Sequence, residues 1–126
     1  MNEYYNGFYK ELSRLDELGN NFSKIQDFLP NLKGDEKIID IGSGHGGVCE
    51  ELVKRGYSVS AVEINSEAIE SLKKKNFKVL ECDITKPLNL KDKYDIVLIL
   101  DVLEHLFDPY LLLKESKDIV KKDGYI

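Results

Sequence analysis

Apolar residues return along this chain in two rhythms. Between residues 3 and 18, Tyr5, Phe8, Tyr9, Leu12, Leu15 and Leu18 recur every three or four positions, the spacing of one helix face. Gly19-Asn20-Asn21 breaks that pattern. A second helix is predicted from Phe22, Ile25, Phe28 and Leu29, stopping at Pro30. Beyond residue 36 short apolar runs alternate with amphipathic stretches. The runs at 38–41, 57–62, 77–80 and 94–100 read as strands. The stretches at 48–55, 66–75 and 109–122 read as helices, the first closed by Gly56 and the second by Asn76. Residues 86–93, with Pro87, form a polar loop, and Gly124-Tyr125-Ile126 reads as the opening of a fifth strand.

Strands that alternate with helices predict an α/β fold: a Rossmann-like parallel sheet with helices on both faces. The run at 94–100 is continuous in Ile, Val and Leu, as expected of a strand covered on both sides. Two segments are expected, an N-terminal helical one over residues 1–33 and an α/β core over residues 34–126. Ligands in such sheets bind outside the carboxyl ends of the strands. Asp40, Glu63, Asp83 and Asp101 all fall at or near those ends.

The densest signal is Ile38-Ile39-Asp40-Ile41-Gly42-Ser43-Gly44-His45-Gly46-Gly47, a buried strand that turns through glycines into a helix. Glycines allow the sharp turn and a close approach of ligand to main chain, and the helix start offers free N–H groups. Gly42, Gly44 and Gly47 satisfy the dinucleotide pattern G-x-G-x-x-G, with Glu63 at the distance of its ribose-binding acid. Gly42, Gly44 and Gly46 equally satisfy G-x-G-x-G. Asp40 separates the two. A carboxylate there repels a pyrophosphate but favours a ligand with a cationic amine and a sulfonium, which is S-adenosylmethionine.

Four landmarks in order then carry a resemblance: Asp40 to Gly46, Val62-Glu63-Ile64, Cys82-Asp83-Ile84, and Leu100-Asp101-Val102-Leu103-Glu104-His105. The segment from Ile38 to Asp108 resembles the class I S-adenosylmethionine-dependent methyltransferases, and more narrowly a methyltransferase domain of the ubiquinone-pathway kind. The resemblance implies a transferase that uses S-adenosylmethionine as methyl donor. It implies cofactor contacts from Asp40, Gly42, Ser43, Gly44 and Gly46. Glu63 would accept bonds from both ribose hydroxyls, since a carboxylate has two oxygens to offer a diol. Ile64 would pack on adenine. Asp83 would accept from the adenine amino group and the Ile84 N–H would reach a ring nitrogen. Leu100 and Asp101 would line the floor under the methionine part.

Plainer readings stand beside these. Asp40 could serve loop N–H groups, Glu63 could be an exposed strand-end acid, and Asp83 could be a turn former before Thr85. Glu104 and His105 border the expected acceptor pocket, with His105 as a general base for an acidic hydroxyl. The D-x-x-E-H pattern also resembles the E-x-x-E-H segment that holds a divalent metal in ubiquinone-pathway O-methyltransferases and small-RNA 3′-end methyltransferases. Asp101, Glu104 and His105 are therefore the alternative metal ligands, although Asp101 is shorter than Glu and no second histidine follows. His45 reads as a loop residue. Tyr4, Tyr5 and Tyr9 read as helix packing or as an aromatic lid.

Composition narrows the partners. A net charge of −5 argues against broad nucleic-acid binding. No apolar run nears the roughly 18–20 residues of a membrane span. Cys49 and Cys82 lack metal-ligand spacing and read as reduced thiols of a cytoplasmic protein. Lys73-Lys74-Lys75 and Lys121-Lys122 read as solvated helix ends that complement the dipole.

The methyltransferase fold has about seven strands where this sequence supplies four and the start of a fifth, so its C-terminal strands are expected to be missing. A homodimer through the open sheet edge is expected from that. The leading expectation is methyl transfer to a small-molecule nucleophile, an oxygen by resemblance. The alternatives are a cofactor-binding module without activity of its own, and a nicotinamide-binding domain.

Overall fold

The computed structural model describes residues 21–126. The helix expected over residues 3–18, its break at residues 19 and 20, and the tyrosines offered as a lid lie outside the described residues. The described chain starts with a short helix, α1 (Asn21–Ile25), and then alternates: β1 (Lys37–Ile41), α2 (Gly47–Lys54), β2 (Ser58–Glu63), α3 (Ser66–Lys74), β3 (Lys78–Glu81), β4 (Tyr94–Ile99), α4 (Pro109–Ile119) and β5 (Val120–Tyr125). A single 3-10 turn, Leu103–His105, lies between β4 and α4.

The five strands form one parallel sheet in the order β3-β2-β1-β4-β5. The chain winds outward from β1 through β2 to β3, then returns to place β4 on the other side of β1. The direction of winding therefore reverses between β1 and β4, where sheets of this class open a crevice at their carboxyl ends.

Alternation along each strand decides what each face buries. Ile38 on β1, Val59 and Ala61 on β2, and Ile96 and Leu98 on β4 pack with Val48, Cys49 and Leu52 of α2 and Leu72 of α3. Phe22 is buried in the same cluster, and Ile25, Leu29 and Leu32 pack against it, so residues 22–32 cover one face of the sheet. Ile39 and Ile41, Val62 and Val97 face the other way, against Leu112 and Ile119 of α4 and against Leu88 and Val102, and Tyr94 at the start of β4 joins that cluster. Helices thus cover both faces, as the apolar runs predict.

One boundary differs from the expectation. The last helix was expected to run to residue 122, with a strand opening at Gly124. Instead α4 ends at Ile119 and β5 begins at Val120 with no loop between them. Tyr94 pairs with Val120 and Ile96 with Tyr125, so β5 holds extra residues opposite β4 and bulges. Gly124 belongs to that bulge. A Cβ there would lie 2.7 Å from the Asp95 carbonyl and 2.7 Å from Val120 Cγ2. Lys121 and Lys122 carry no apolar period, so their sequence does not separate helix from edge strand.

At the amino ends of the strands charges pair off. Asp92 accepts from the Lys37 and Lys78 ammonium groups at 3.2 and 3.3 Å. Asp95 accepts from the Lys37 N–H at 2.7 Å and from Lys121 at 3.0 Å. These donors hold both carboxyls below the ordinary aspartate value.

Candidate functional site

The glycine turn sits at the carboxyl end of β1 and leads into α2. Its glycines adopt left-handed backbone, with φ of 75° at Gly42, 56° at Gly44 and 87° at Gly46. Two of these positions also have no room for a side chain. A Cβ on Gly42 would meet Val102 Cγ2 at 2.6 Å, and one on Gly46 would meet Leu72 Cδ2 at 2.6 Å.

Hydrogen bonds tie the inner half of the turn to the tip of β2. The N–H groups of Gly42 and Ser43 both donate to the Val62 carbonyl, at 2.9 and 3.2 Å. The Gly44 N–H donates to Glu63 Oε2 at 2.8 Å. Glu63 also accepts from the N–H groups of Ile64 at 2.9 Å and Asn65 at 3.1 Å. The outer half of the turn rests on the end of α3. Lys75 Nζ donates to the His45 carbonyl at 2.9 Å, and Gly46 N–H closes onto the Ser43 carbonyl at 3.1 Å.

Two acids lie beneath this turn, and both are buried: Asp40 is 3% exposed and Glu63 2%. Asp40 stands within β1, and the Cys49 thiol of α2 donates to its Oδ2 at 3.4 Å. Glu63 ends β2, as its position in the sequence predicts, but it is enclosed rather than exposed. A buried carboxylate is costly unless donors surround it, and three backbone N–H groups supply that compensation. The Ser43 hydroxyl is buried as well, and among the described residues it has no hydrogen-bond partner. Buried hydroxyls are rarely left so, and one within a glycine turn suits a polar ligand.

The other expected contacts spread along the same edge of the sheet. Ile64, the residue after β2, is 43% exposed beside the buried Glu63. Asp83 follows β3 and accepts from the Thr85 hydroxyl at 2.6 Å and the Thr85 N–H at 3.0 Å. Those bonds, with Lys86 nearby, hold its carboxyl below the usual value. The turn-forming role of Asp83 is therefore present in the structure. Ile84 packs its side chain on the second core cluster, and burial pushes the Cys82 thiol up. Cys49 and Cys82 are both free thiols.

After β4, Leu100 packs against the first core cluster and Asp101 turns outward with φ 53°. Val102 is buried under Gly42, which brings this segment onto the glycine turn. Glu104 is exposed, and His105 Nε2 lies 3.6 Å from Glu104 Oε1, beyond direct hydrogen-bond range. Among the described residues no three His, Cys, Asp or Glu side chains gather as metal ligands, so Asp101, Glu104 and His105 are not brought together as a metal group. Asp108 caps α4 by accepting from the Tyr110 N–H at 3.1 Å.

The sequence reading missed two contributors. Asn65 donates its N–H to Glu63 and caps α3 by accepting from the Ala68 N–H at 3.0 Å. An Asn directly before an amphipathic stretch is a cap signal and could have been found. Lys75 reads from its sequence as a solvent-facing helix-end lysine, and nothing in its local sequence points to His45. Of its neighbours, Lys74 pairs within α3 with Glu70 at 2.8 Å, and Lys73 reaches Glu81 at the end of β3 at 2.5 Å.

Residues 12–126 match the family described as a methyltransferase domain. The chain belongs to that family. Among curated relatives of this methyltransferase domain, the ubiquinone biosynthesis O-methyltransferase of Pelagibacter ubique is 31% identical over 135 residues, covering 94% of this chain and 55% of the relative. The chain thus spans about half the length of the curated relatives it matches. Among solved structures, a SAM-dependent methyltransferase from Archaeoglobus fulgidus is 29% identical, with a TM-score of 0.73 over 94% of this chain and 54% of that one. Coclaurine N-methyltransferase bound to N-methylheliamine and SAH shares the fold at 22% identity, with a TM-score of 0.72 over 82% of this chain and 33% of that one. The fold is therefore the Rossmann-like fold of methyltransferases. Among the described residues no helix is long and apolar enough to cross a membrane.

Proposed function

We propose that this chain holds S-adenosylmethionine for methyl transfer to a small-molecule nucleophile, with an oxygen as the acceptor atom. One observation carries the reading. Two buried acids, Asp40 and Glu63, and the unpartnered buried Ser43 hydroxyl converge on a left-handed glycine turn at the carboxyl ends of β1 and β2. These residues fit the donor's chemistry: hydroxyls for Glu63, an ammonium near Asp40, a polar terminus for Ser43 and the loop N–H groups. Ile64 offers an apolar surface for adenine, and the Asp83 turn stands one strand further out. The curated relatives named as O-methyltransferases and the solved relative named as SAM-dependent support the same reading.

When bound, S-adenosylmethionine supplies an electrophilic methyl group on a sulfonium. The chain's residues would orient the donor and exclude water from one side of it. Glu63 would share its oxygens between the ribose hydroxyls and its three backbone donors. Leu100 and Asp101 would border the methionine part. His105 would take the proton from the acceptor hydroxyl, with the Glu104 charge close by. A second reading, binding without chemistry, is favoured by the exposure of Glu104 and by its spacing from His105.

The proposal extends to a cytoplasmic setting and to a second copy of the chain covering an open sheet edge, which light scattering would test; a monomer at high concentration argues against the dimer. The first experiment is calorimetric titration with S-adenosylmethionine, with NADH in parallel. Micromolar binding of S-adenosylmethionine alone supports the proposal. NADH binding in its place refutes it, because Asp40 should repel a pyrophosphate. If neither binds, this chain does not hold the donor and the proposal fails as stated for it.

A further inference from the structure

The glycine turn is anchored at two places, and only one of them is on β2. Its inner half hangs from Val62 and Glu63 by three N–H bonds. Its outer half, from His45 to Gly46, has a different support. Lys75, the residue that caps the carboxyl end of α3, crosses to donate to the His45 carbonyl at 2.9 Å. The same ammonium lies 3.4 Å from Glu50 Oε1 on α2. Leu72 and Phe77 from either side of Lys75 close the space over Gly46.

We propose that Lys75 is a positioning residue for the cofactor, fixing the outer half of the glycine turn through the His45 carbonyl. The inference rests on the donor-binding reading above. Three left-handed glycines make the turn intrinsically loose, since such residues pay the largest conformational entropy on ordering. A bond from a charged donor to a carbonyl in the middle of the turn removes freedom where the ligand would need it removed. Peptide orientation supplies the second reason. Holding the His45 carbonyl toward α3 fixes the plane of the His45–Gly46 peptide, and with it the direction of the Gly46 N–H onto Ser43. Lys75 is about one-third exposed, so its bond adds little to global stability and its effect should fall on the turn.

The test compares Lys75→Met, Lys75→Arg and Glu50→Gln in the full chain. Two readouts are used: amide hydrogen exchange at Gly44, His45 and Gly46, and calorimetric affinity for S-adenosylmethionine. Lys75→Met keeps the aliphatic stem and removes the donor. It should speed exchange across the turn and weaken binding about five- to tenfold, the scale of one ordinary net hydrogen bond at a partly exposed site, with the melting temperature little changed. Lys75→Arg keeps a charged donor and should restore both. Glu50→Gln removes the ion pair but leaves the carbonyl bond, and should behave as wild type. The idea is overturned if Lys75→Met leaves the exchange rates of the turn unchanged. It is overturned equally if Glu50→Gln reproduces the Lys75→Met effect, because the ion pair would then carry it. Exchange needs no ligand, so failure of wild type to bind S-adenosylmethionine would sink the donor reading while leaving the role of Lys75 in the turn to its own readout.

Discussion

The two sides of the crevice between β1 and β4 are built differently. On the β1–β2 side the two strand acids are enclosed: Glu63 carries three backbone donors and Asp40 meets the Cys49 thiol. On the β4 side Asp101 and Glu104 are exposed, the connecting turn is a single 3-10 turn, and Phe107 stands fully in solvent. The first side is over-determined by packing and hydrogen bonds, as a site that must recognise one fixed ligand requires. The second has fewer hydrogen bonds to hold its acids, and under the proposed function it is the side that would face the acceptor. Val102 is the joint between them, since its methyl fills the space over Gly42.

The largest expected effect breaks that joint. Gly42→Ala places a methyl 2.6 Å from Val102 Cγ2 on a backbone with φ of 75°. Left-handed strain and overpacking together should cost about 2–4 kcal/mol in urea denaturation. Adding Val102→Ala should recover the packing part and leave the strain. Full recovery in the double variant would mean that the turn tolerates a side chain and that packing alone selects glycine.

A smaller loss should follow Glu63→Ala, which leaves three backbone N–H groups without their acceptor and should cost about 1–3 kcal/mol. Affinity for S-adenosylmethionine should fall roughly tenfold or more, since charge-assisted bonds are the strong ones. Unchanged stability would show that the enclosed side is not held by this carboxylate.

The exposed side should respond in the opposite way. His105→Ala, at a half-buried position, should cost no more than about 1 kcal/mol, less than the loss at Glu63. Donor affinity should stay as in wild type, while turnover by the whole protein falls about 10²–10⁴-fold if His105 is the base. A loss of donor affinity equal to the loss of turnover would place His105 on the wrong side of the comparison.

The amino ends of the strands provide the control. The Asp92 and Asp95 carboxyls are held below their ordinary 3.8 by lysine partners and, for Asp95, by the Lys37 N–H. A depressed folded value stabilises the fold above the unfolded value and loses that contribution as pH falls through the depressed one. Stability should therefore hold above about pH 4 and decline below it. Asp92→Asn combined with Asp95→Asn should flatten the decline slightly without touching donor binding at neutral pH. An acid profile identical to wild type would show that these pairs contribute nothing.

Much of this architecture is legible in the residues. The apolar runs give β1 to β4 to within one or two positions, and the run of β4 is nearly continuous because a strand covered on both faces is apolar on both. Gly42, Gly44 and Gly46 announce left-handed backbone because only glycine adopts it cheaply. Asn65 announces the start of α3. The limits are equally physical. Residues 120–125 are polar at alternate and consecutive positions alike, so local sequence leaves helix and bulged edge strand equally open. Nothing around Glu63 says that it will be buried, because its three donors come from its own backbone turn and from a glycine 19 positions earlier.

The sequence by itself determined the period of each element before β5, the turns between those elements, and the order in which Asp40, Glu63, Asp83 and Asp101 reach one edge of a parallel sheet. Those properties are local, or follow from the alternation of strand and helix. Tertiary structure decided which of these acids are enclosed and which face water. It also decided that Val102 would sit on Gly42 and that Lys75 would reach His45. Each of those facts depends on residues far apart in the chain meeting in one register, and no local pattern of side chains encodes that meeting.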